Sequence, residues 1–315
     1  MNFNKLKCAL INSYSKDTSY ELIRENWSLD NKVLRQCAIT SLIVNDYFGG
    51  EIKKCSVDGV SHYFNKINNI IYDFTKEQFG HDSIDYDNSR NKTREEILSS
   101  EDTKRRYETL LLRVGEYIAR LDKIDNDIFE CNSCSDLVEK FTNHTSVSYG
   151  RNTDVLILGE APANNGWRKS GKAWHDINLK MMQSGKILNK LLNIINLELE
   201  DTTFVEAIKC FPKDRKYLKT CNLNCKIHLL SQLSLLNPKL VITLGDFATR
   251  AVLDVKYKRF SDIVGAIQII RVNDKEIKVL PIYHPSPISP LGHKGNIPIF
   301  NSLKSNNFFD STNKN

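Results

Sequence analysis

Residues 154–166 read DVLILGEAPANNG, and this stretch decides the fold. Val155 to Leu158 are consecutive apolar residues closed by Gly159. The run is too short for a helix and apolar on both sides, as a strand buried between two layers must be. EAPANNG has no periodicity and is rich in Pro, Asn and Gly, so the strand runs directly into a loop. Working outward, the alternation repeats. Helices are expected over Ser184–Leu197, Cys225–Leu236 and Phe247–Leu253, and strands over Thr203–Ile208, Leu240–Leu244 and Lys278–Ile282. Such alternation predicts a three-layer α/β domain, a parallel sheet with helices on both faces. Ligands of these sheets bind beyond the carboxyl ends of the strands, the rim on which GEAPA, EAIKC and YHPS fall.

The chain has 315 residues, enough for two domains. Hydrophobic residues make up 41% and charged residues 26%, which excludes a disordered chain. No apolar run approaches the roughly 18–20 residues that span a bilayer. The opening MNFNKLKCALINSYSKD has no signal-peptide core, so a cytoplasmic setting is expected. There the eight cysteines stay reduced. A net charge of +6 suits a partner bearing phosphates. The polar stretch 81–96 reads as a loop, and a helix is expected from Ser100 to Asp122. The division is placed near Asp125–Phe129. It gives a smaller α+β domain over 1–125, the α/β domain over 126–305 and a disordered tail over 306–315.

Four cysteines fall in two pairs around the DVLILG strand. Cys131 and Cys134 lie in ECNSC; Cys210 and Cys225 end KCFPKDRKYLKTCNLNC. Thiols gathered from distant segments hold a metal or an iron–sulfur cluster, and spacing alone does not separate the cluster from a four-sulfur zinc site.

GEAP after an apolar strand, EAIKC at a second strand end, the run from Gln232 to Gly245 and a terminal HPS together resemble the uracil-DNA glycosylase superfamily, and within it the iron–sulfur branch called family 4. The resemblance covers roughly residues 130–305. It implies a 4Fe-4S cluster on Cys131, Cys134, Cys210 and Cys225, with Cys221 an extra thiol. Trp174 stands where the family stacks a Phe on the base. His284 matches the histidine that stabilises charge on the departing base, and Ser286 a phosphate contact. Ile288 lies where relatives insert a wedge into the gap left by the flipped nucleotide. Glu160 sits on the water-activating loop, and Lys172, with Arg168 and Lys169, flanks it either as phosphate contacts or as a solvated charged face. The implied activity is that of a monofunctional DNA glycosylase, with DNA as partner and a monomer as the working form.

Two departures from the family bear on the substrate. Glu206 replaces the Asn that reads uracil, and a carboxylate suits the cytosine amino group better than uracil O4. If burial protonates it, the acid also donates to cytosine N3. Ala163 stands where strict uracil enzymes carry a Tyr that blocks 5-substituents. Together they point to a modified cytosine, such as glucosylated 5-hydroxymethylcytosine in phage DNA, excised in antiviral defence. Uracil repair and a non-catalytic iron–sulfur DNA-binding module are the alternatives.

Residues 1–122 resemble the YunG-like family through DTSY, RQCAITSLIVNDYFGGEI, GVSHYFN, IYDFTKEQF and SEDTKRRYETLLLRV. Cys37 opens an apolar helix, where the dipole lowers a thiol pKa. His62 and Asp73 fall on two strands of a hairpin expected to turn at Asn68–Asn69. That layout is one of papain- and transglutaminase-like sites. A buried Cys beside a hydrogen-bonded His in an inactive module is the alternative.

Overall fold

The computed structural model describes residues 1–80, 84–140 and 146–306. The expected disordered tail lies outside them from residue 307 onward. The described chain divides after Arg120 into two units.

The first unit holds α1 (Phe3–Ser13), α2 (Cys37–Phe48), β1 (Glu51–Val57), β2 (Val60–Ile67), β3 (Ile70–Tyr72), β4 (Arg90–Lys92), α3 (Arg94–Leu98) and the start of α4 (Glu101–Glu130). Its sheet is antiparallel, ordered β3-β2-β1-β4. Asn68 and Asn69 turn the β2–β3 hairpin with φ of 50° and 64°, the two left-handed residues a tight hairpin needs. Leu42 of α2 packs with Ile52 and Ile97, and the Asn65 amide donates to Ser41 O at 3.0 Å. The stretch read as a loop instead contains β4, paired with β1, and the first turn of α3. Thr93 caps that helix and receives Glu96 in return, a capping box hidden in polar composition. α4 also outruns its expected end at Asp122. Leu121, Ile124 and Ile128 continue its inward stripe at helical spacing.

The second unit contains β5 (Val138–Glu139), β6 (Val155–Gly159), α5 (Trp167–Ser170), α6 (Gln183–Asn193), β7 (Thr203–Glu206), β8 (Phe211–Pro212), α7 (Leu218–Leu236), β9 (Leu240–Leu244), α8 (Gly245–Val252), β10 (Gln268–Val272), β11 (Lys275–Ile282) and α9 (Ile297–Ser305). The main sheet runs β10-β11-β9-β6-β7, parallel except for the β10 edge. Strands β6 and β9 are buried at every position, as their near-continuous apolar runs require, and the one polar side chain, Thr243, meets the Thr249 hydroxyl at 2.7 Å. Their inward residues pack with Leu188, Leu191 and Leu192 of α6 and with Phe300 and Leu303 of α9. The strand expected from Lys278 starts at Lys275 and pairs with β10 in a hairpin not among the expected elements. Its turn, Asn273–Asp274, has φ of 47° and 64°, the same device as Asn68–Asn69.

Candidate functional site

From β6 the chain crosses to β7 on one side, while β9 lies on the other, so the strand order reverses between β6 and β9. In parallel sheets that switch point opens a crevice at the carboxyl edge. Here the crevice is a void of about 610 Å³. Glu160 and Ala163 reach it from the loop after β6, Glu206 from the end of β7, Gly245 from the end of β9 and His284 from beyond β11; Trp174 walls it from the loop after α5. Five of the residues expected from sequence therefore meet around one space.

Each is held by its local structure. Trp174 has φ of 65°, a conformation bulky residues rarely adopt. The hydrogen bond from Met182 N to Trp174 O, 2.8 Å, holds it there. Its ring lies 4.4 Å from Phe204, which in turn sits 5.3 Å from Trp167. Glu206 is buried, and burial pushes its pKa up to about 8 against the pull of Lys209, so it is neutral at pH 7. Gly245 has φ of 87°, and a Cβ there would stand 3.3 Å from His284 Cβ; only glycine lets β9 end so close. The His284 ring is open to the void yet seated deeply enough that burial lowers its pKa below 6.5, against the raising effect of Glu160. Glu160 pairs with Arg215 at 3.2 Å.

Other sequence candidates lie off the void's wall. Ser286 is half-buried, and its hydroxyl accepts from Ile288 N–H at 3.2 Å. Ile288 is 92% exposed. Lys172 is exposed on the loop before Trp174. Arg168 is a correction: it is buried, ion-paired to Glu139 at 2.6 Å and stacked over Phe211 at 4.7 Å, so it is committed to the protein rather than to phosphates.

Sequence reasoning missed several supports. Phe204 backs the indole, and its TFVE context carried the signal. Asn296 is fully buried; it accepts from Tyr283 N–H at 3.0 Å and donates to Tyr283 O and Gly292 O at 2.8 and 3.0 Å, pinning the HPS loop. Lys209 donates to Glu206 O and to Gln232 Oε1. Nothing local in the sequence marked Asn296 or Lys209.

A second cavity, about 20 Å³, is lined by Cys131, Cys134, Cys210, Cys221 and Cys225. All are free thiols. α7 begins well before Cys225, which places Cys221 and Cys225 one turn apart on one face. The short β5–β8 pair, Val138 opposite Pro212, ties the segment after Cys134 to the segment after Cys210. Burial and neighbouring thiols push Cys210 and Cys221 up to about 12. Among the described residues no three His, Cys, Asp or Glu side chains close on a point that would hold a single metal ion. The donor set is nonetheless entirely sulfur, the chemistry of soft-metal and iron–sulfur centres.

In the first unit Cys37, His62 and Asp73 also come together, with His62 Nε2 at 2.5 Å from Asp73 Oδ2. No helix among the described residues is long and apolar enough to cross a membrane.

The switch-point pocket and thiol-lined cavity fit an α/β enzyme of the DNA glycosylase class, and similarity to known proteins shows that class. The profile of the uracil DNA glycosylase superfamily matches residues 147–313, and that of the YunG protein residues 2–119. The chain belongs to the uracil DNA glycosylase superfamily. It is similar to the type-4 uracil-DNA glycosylase of Archaeoglobus fulgidus, 27% identical over 172 residues, 53% of this chain and 82% of that protein. The type-4 enzyme of Sulfurisphaera tokodaii is 26% identical over 171 residues, 53% of this chain and 74% of that protein. The uncharacterized protein YunG of Bacillus subtilis is 39% identical over 74 residues, 24% of this chain and 60% of that protein.

Proposed function

We propose that the chain is a monofunctional glycosylase that hydrolyses the N-glycosidic bond of a modified cytosine, such as glucosylated 5-hydroxymethylcytosine in phage DNA, as an intracellular antiviral monomer. The observation that carries this reading is Glu206, a neutral acid at the end of β7 facing a void of about 610 Å³. Its O–H donates to cytosine N3 while its carbonyl accepts from the N4 amino group. Ala163 leaves the wall open to a 5-substituent, and the void exceeds what a bare pyrimidine fills.

The nucleotide swings out of the duplex, with Ile288 entering the gap and Ser286 and Lys172 on phosphates. Trp174, backed by Phe204, stacks on the base. As the bond to the sugar breaks, its electron pair leaves with the base. His284, neutral at pH 7, donates an N–H to the base oxygen that gains charge. Glu160, anchored by Arg215, faces the sugar cation and takes the proton of the water that attacks C1′.

Cys131, Cys134, Cys210 and Cys225 would hold a 4Fe-4S cluster, the group that the similarity to type-4 enzymes favours and that the all-sulfur donor set fits. When bound it supplies a covalent staple between α7, β8 and the CNSC loop.

A second reading, uracil excision, is favoured by the same neutral acid. An acid can carry its proton on either oxygen, so it also donates to uracil O4 and accepts from N3–H. Mass spectrometry of bases released from oligonucleotides carrying uracil, cytosine, 5-hydroxymethylcytosine or its glucoside decides between them. Release of the glucosylated base is expected. Uracil release with no modified cytosine would move the assignment to repair, and binding without release would leave a recognition module.

A further inference from the structure

The first unit carries a reactive constellation that base excision does not use. Cys37 is the first residue of α2, a helix of 12 residues. Its first-turn N–H groups have no intrahelical partner, and the helix dipole favours an anion there. His62 is fully buried on β2, and its Nε2 is taken by Asp73. Asp73, just past β3, is fixed in turn: Oδ1 accepts from Thr75 N–H at 3.0 Å, and Oδ2 accepts from the Tyr86 hydroxyl at 3.0 Å. With Nε2 on Asp73, Nδ1 faces the Gln78 amide at 3.3 Å and the Cys37 thiol, which interacts with the same ring and lies 3.9 Å from Ser61 O next to it. Phe79 packs edge-on against the imidazole at 4.9 Å and fixes its plane. A helix, a strand and a post-strand turn thus converge in the order nucleophile, base, orienting carboxylate.

We propose that Cys37, His62 and Asp73 form a thiol acyl-transfer centre that acts on a carbonyl compound with a leaving group, the class of thioesters, esters and amides. Cys37 sulfur bonds the carbonyl carbon and the C=O pair moves to oxygen, for which the first-turn N–H groups of α2 and the Tyr63 backbone N–H are available donors. The carbon–leaving-group bond then breaks as His62 gives its proton to the leaving atom. Water attacks the resulting thioester, His62 takes the water's proton, and the carbon–sulfur bond breaks to restore the thiolate. Asp73 is a positioning residue that holds the ring and its charge.

The electrostatics support this. Burial pushes the Cys37 thiol up, but its hydrogen bond and attraction to His62 outweigh that and leave it lowered. Burial pulls His62 down, while Asp73 and Cys37 lift it to about 9. Other titratable groups around the pair are Cys55, opposite His62 on β1, and the phenols of Tyr14, Tyr63 and Tyr86. Their pKa values are all raised, so they stay neutral at pH 7. The arrangement therefore shifts the pair toward thiolate and imidazolium.

Cys37 is 6% exposed, enough for a small electrophile to test. The full chain is treated with iodoacetamide across a pH series, and separately with p-nitrophenyl acetate, and modified peptides are quantified. Cys37 should alkylate at least about tenfold faster than Cys8 or Cys55 near pH 6.5, because only a thiolate reacts. An acetyl group should be trapped on Cys37 after acid quench. His62→Ala should abolish both. Asp73→Asn should shift the alkylation profile to higher pH, which a purely structural role would not do. Cys37 reacting no faster than Cys55, an absent acetyl adduct, or an Asp73→Asn profile lying on that of the wild type would each overturn the proposal. The comparison among the three cysteines needs no variant, so it decides even where His62→Ala does not fold.

Discussion

Glu206 should give base excision an alkaline limit that belongs to one side chain. Its pKa of about 8 keeps it a hydrogen-bond donor at pH 7. At about pH 9 only about one-tenth remains protonated, so a base that needs the donated proton loses about tenfold in kcat/KM, or about 1.4 kcal/mol. Uracil then loses its bond at O4 and a cytosine-type base its bond at N3, each keeping one N–H on the carboxylate, so both should decline alike. Single-turnover excision, read as alkali-labile sites at about pH 7 and about pH 9, measures both. Glu206→Gln keeps a donor at every pH and should flatten the profile. Lys209, lowered to about 8 by burial, titrates in the same range. A decline caused by Lys209 would survive in Glu206→Gln, and that result would refute the assignment. Stability gives an independent check. The acid's folded pKa lies above its ordinary 4.5. The native state therefore keeps a proton that the unfolded chain releases, and this contribution is complete below about pH 4.5 and lost as pH rises to about 8. Wild type should lose about 1.4 kcal/mol per pH unit relative to Glu206→Gln in that window.

His284→Ala should cut excision by roughly 10²–10³ while sparing DNA affinity, the loss of one oxyanion donor, and equilibrium binding beside single-turnover rates separates the two. Ile288→Ala should slow excision about tenfold in duplex DNA and leave single strands unaffected, because only a duplex has a stack to wedge open. Arg168→Met should lower stability by about 1–3 kcal/mol, because Asn164 O and Oδ1 lose the buried guanidinium that donates to them. Its DNA affinity, measured by fluorescence anisotropy, should match the wild type.

The sheet and the pocket were legible because their signals are local. VLIL is apolar throughout and LVITL is broken only by Thr243, and each is followed by a glycine that opens onto the rim. Trp174, Glu206 and His284 could be placed because each sits at a strand end or in a loop whose neighbours fix its position. The structure departs from the reading where polar residues do structural work. Arg90–Lys92 forms a strand because β1 offers an edge, not because its side chains favour one. Arg168 reads as a surface charge, yet Glu139 and Phe211 enclose it from segments far away in sequence. The start of α7 was obscured because Lys219, Thr220, Asn222 and Asn224 mask its stripe, while Leu218, Cys221 and Cys225 carry it inward. Asn296 and Lys209 act on backbone carbonyls, which no composition signals.

The run Glu206–Cys210 joins the two cavities of the second unit. Glu206 faces the base pocket, while Cys210 lines the thiol cavity beside Cys225 of α7. Between them Ala207 N–H and Ile208 N–H donate to Gly159 O and Glu160 O at 2.9 and 3.0 Å, and Lys209 bridges Glu206 O to Gln232 of α7. A change at Cys210 is thus transmitted to Glu206 through a hydrogen-bonded segment, whereas Cys131 sits on a loop after α4 with no bond to β7 among those described. Cys131→Ser and Cys210→Ser each remove one thiol from the same cavity, so a purely global staple predicts equal losses. Coupling through the run predicts that Cys210→Ser loses more excision, and that its alkaline inflection moves down from about 8 as Glu206 gains water. Parallel pH profiles of the two variants test this, and coincident inflections would show that the cavity steadies the unit without tuning the acid.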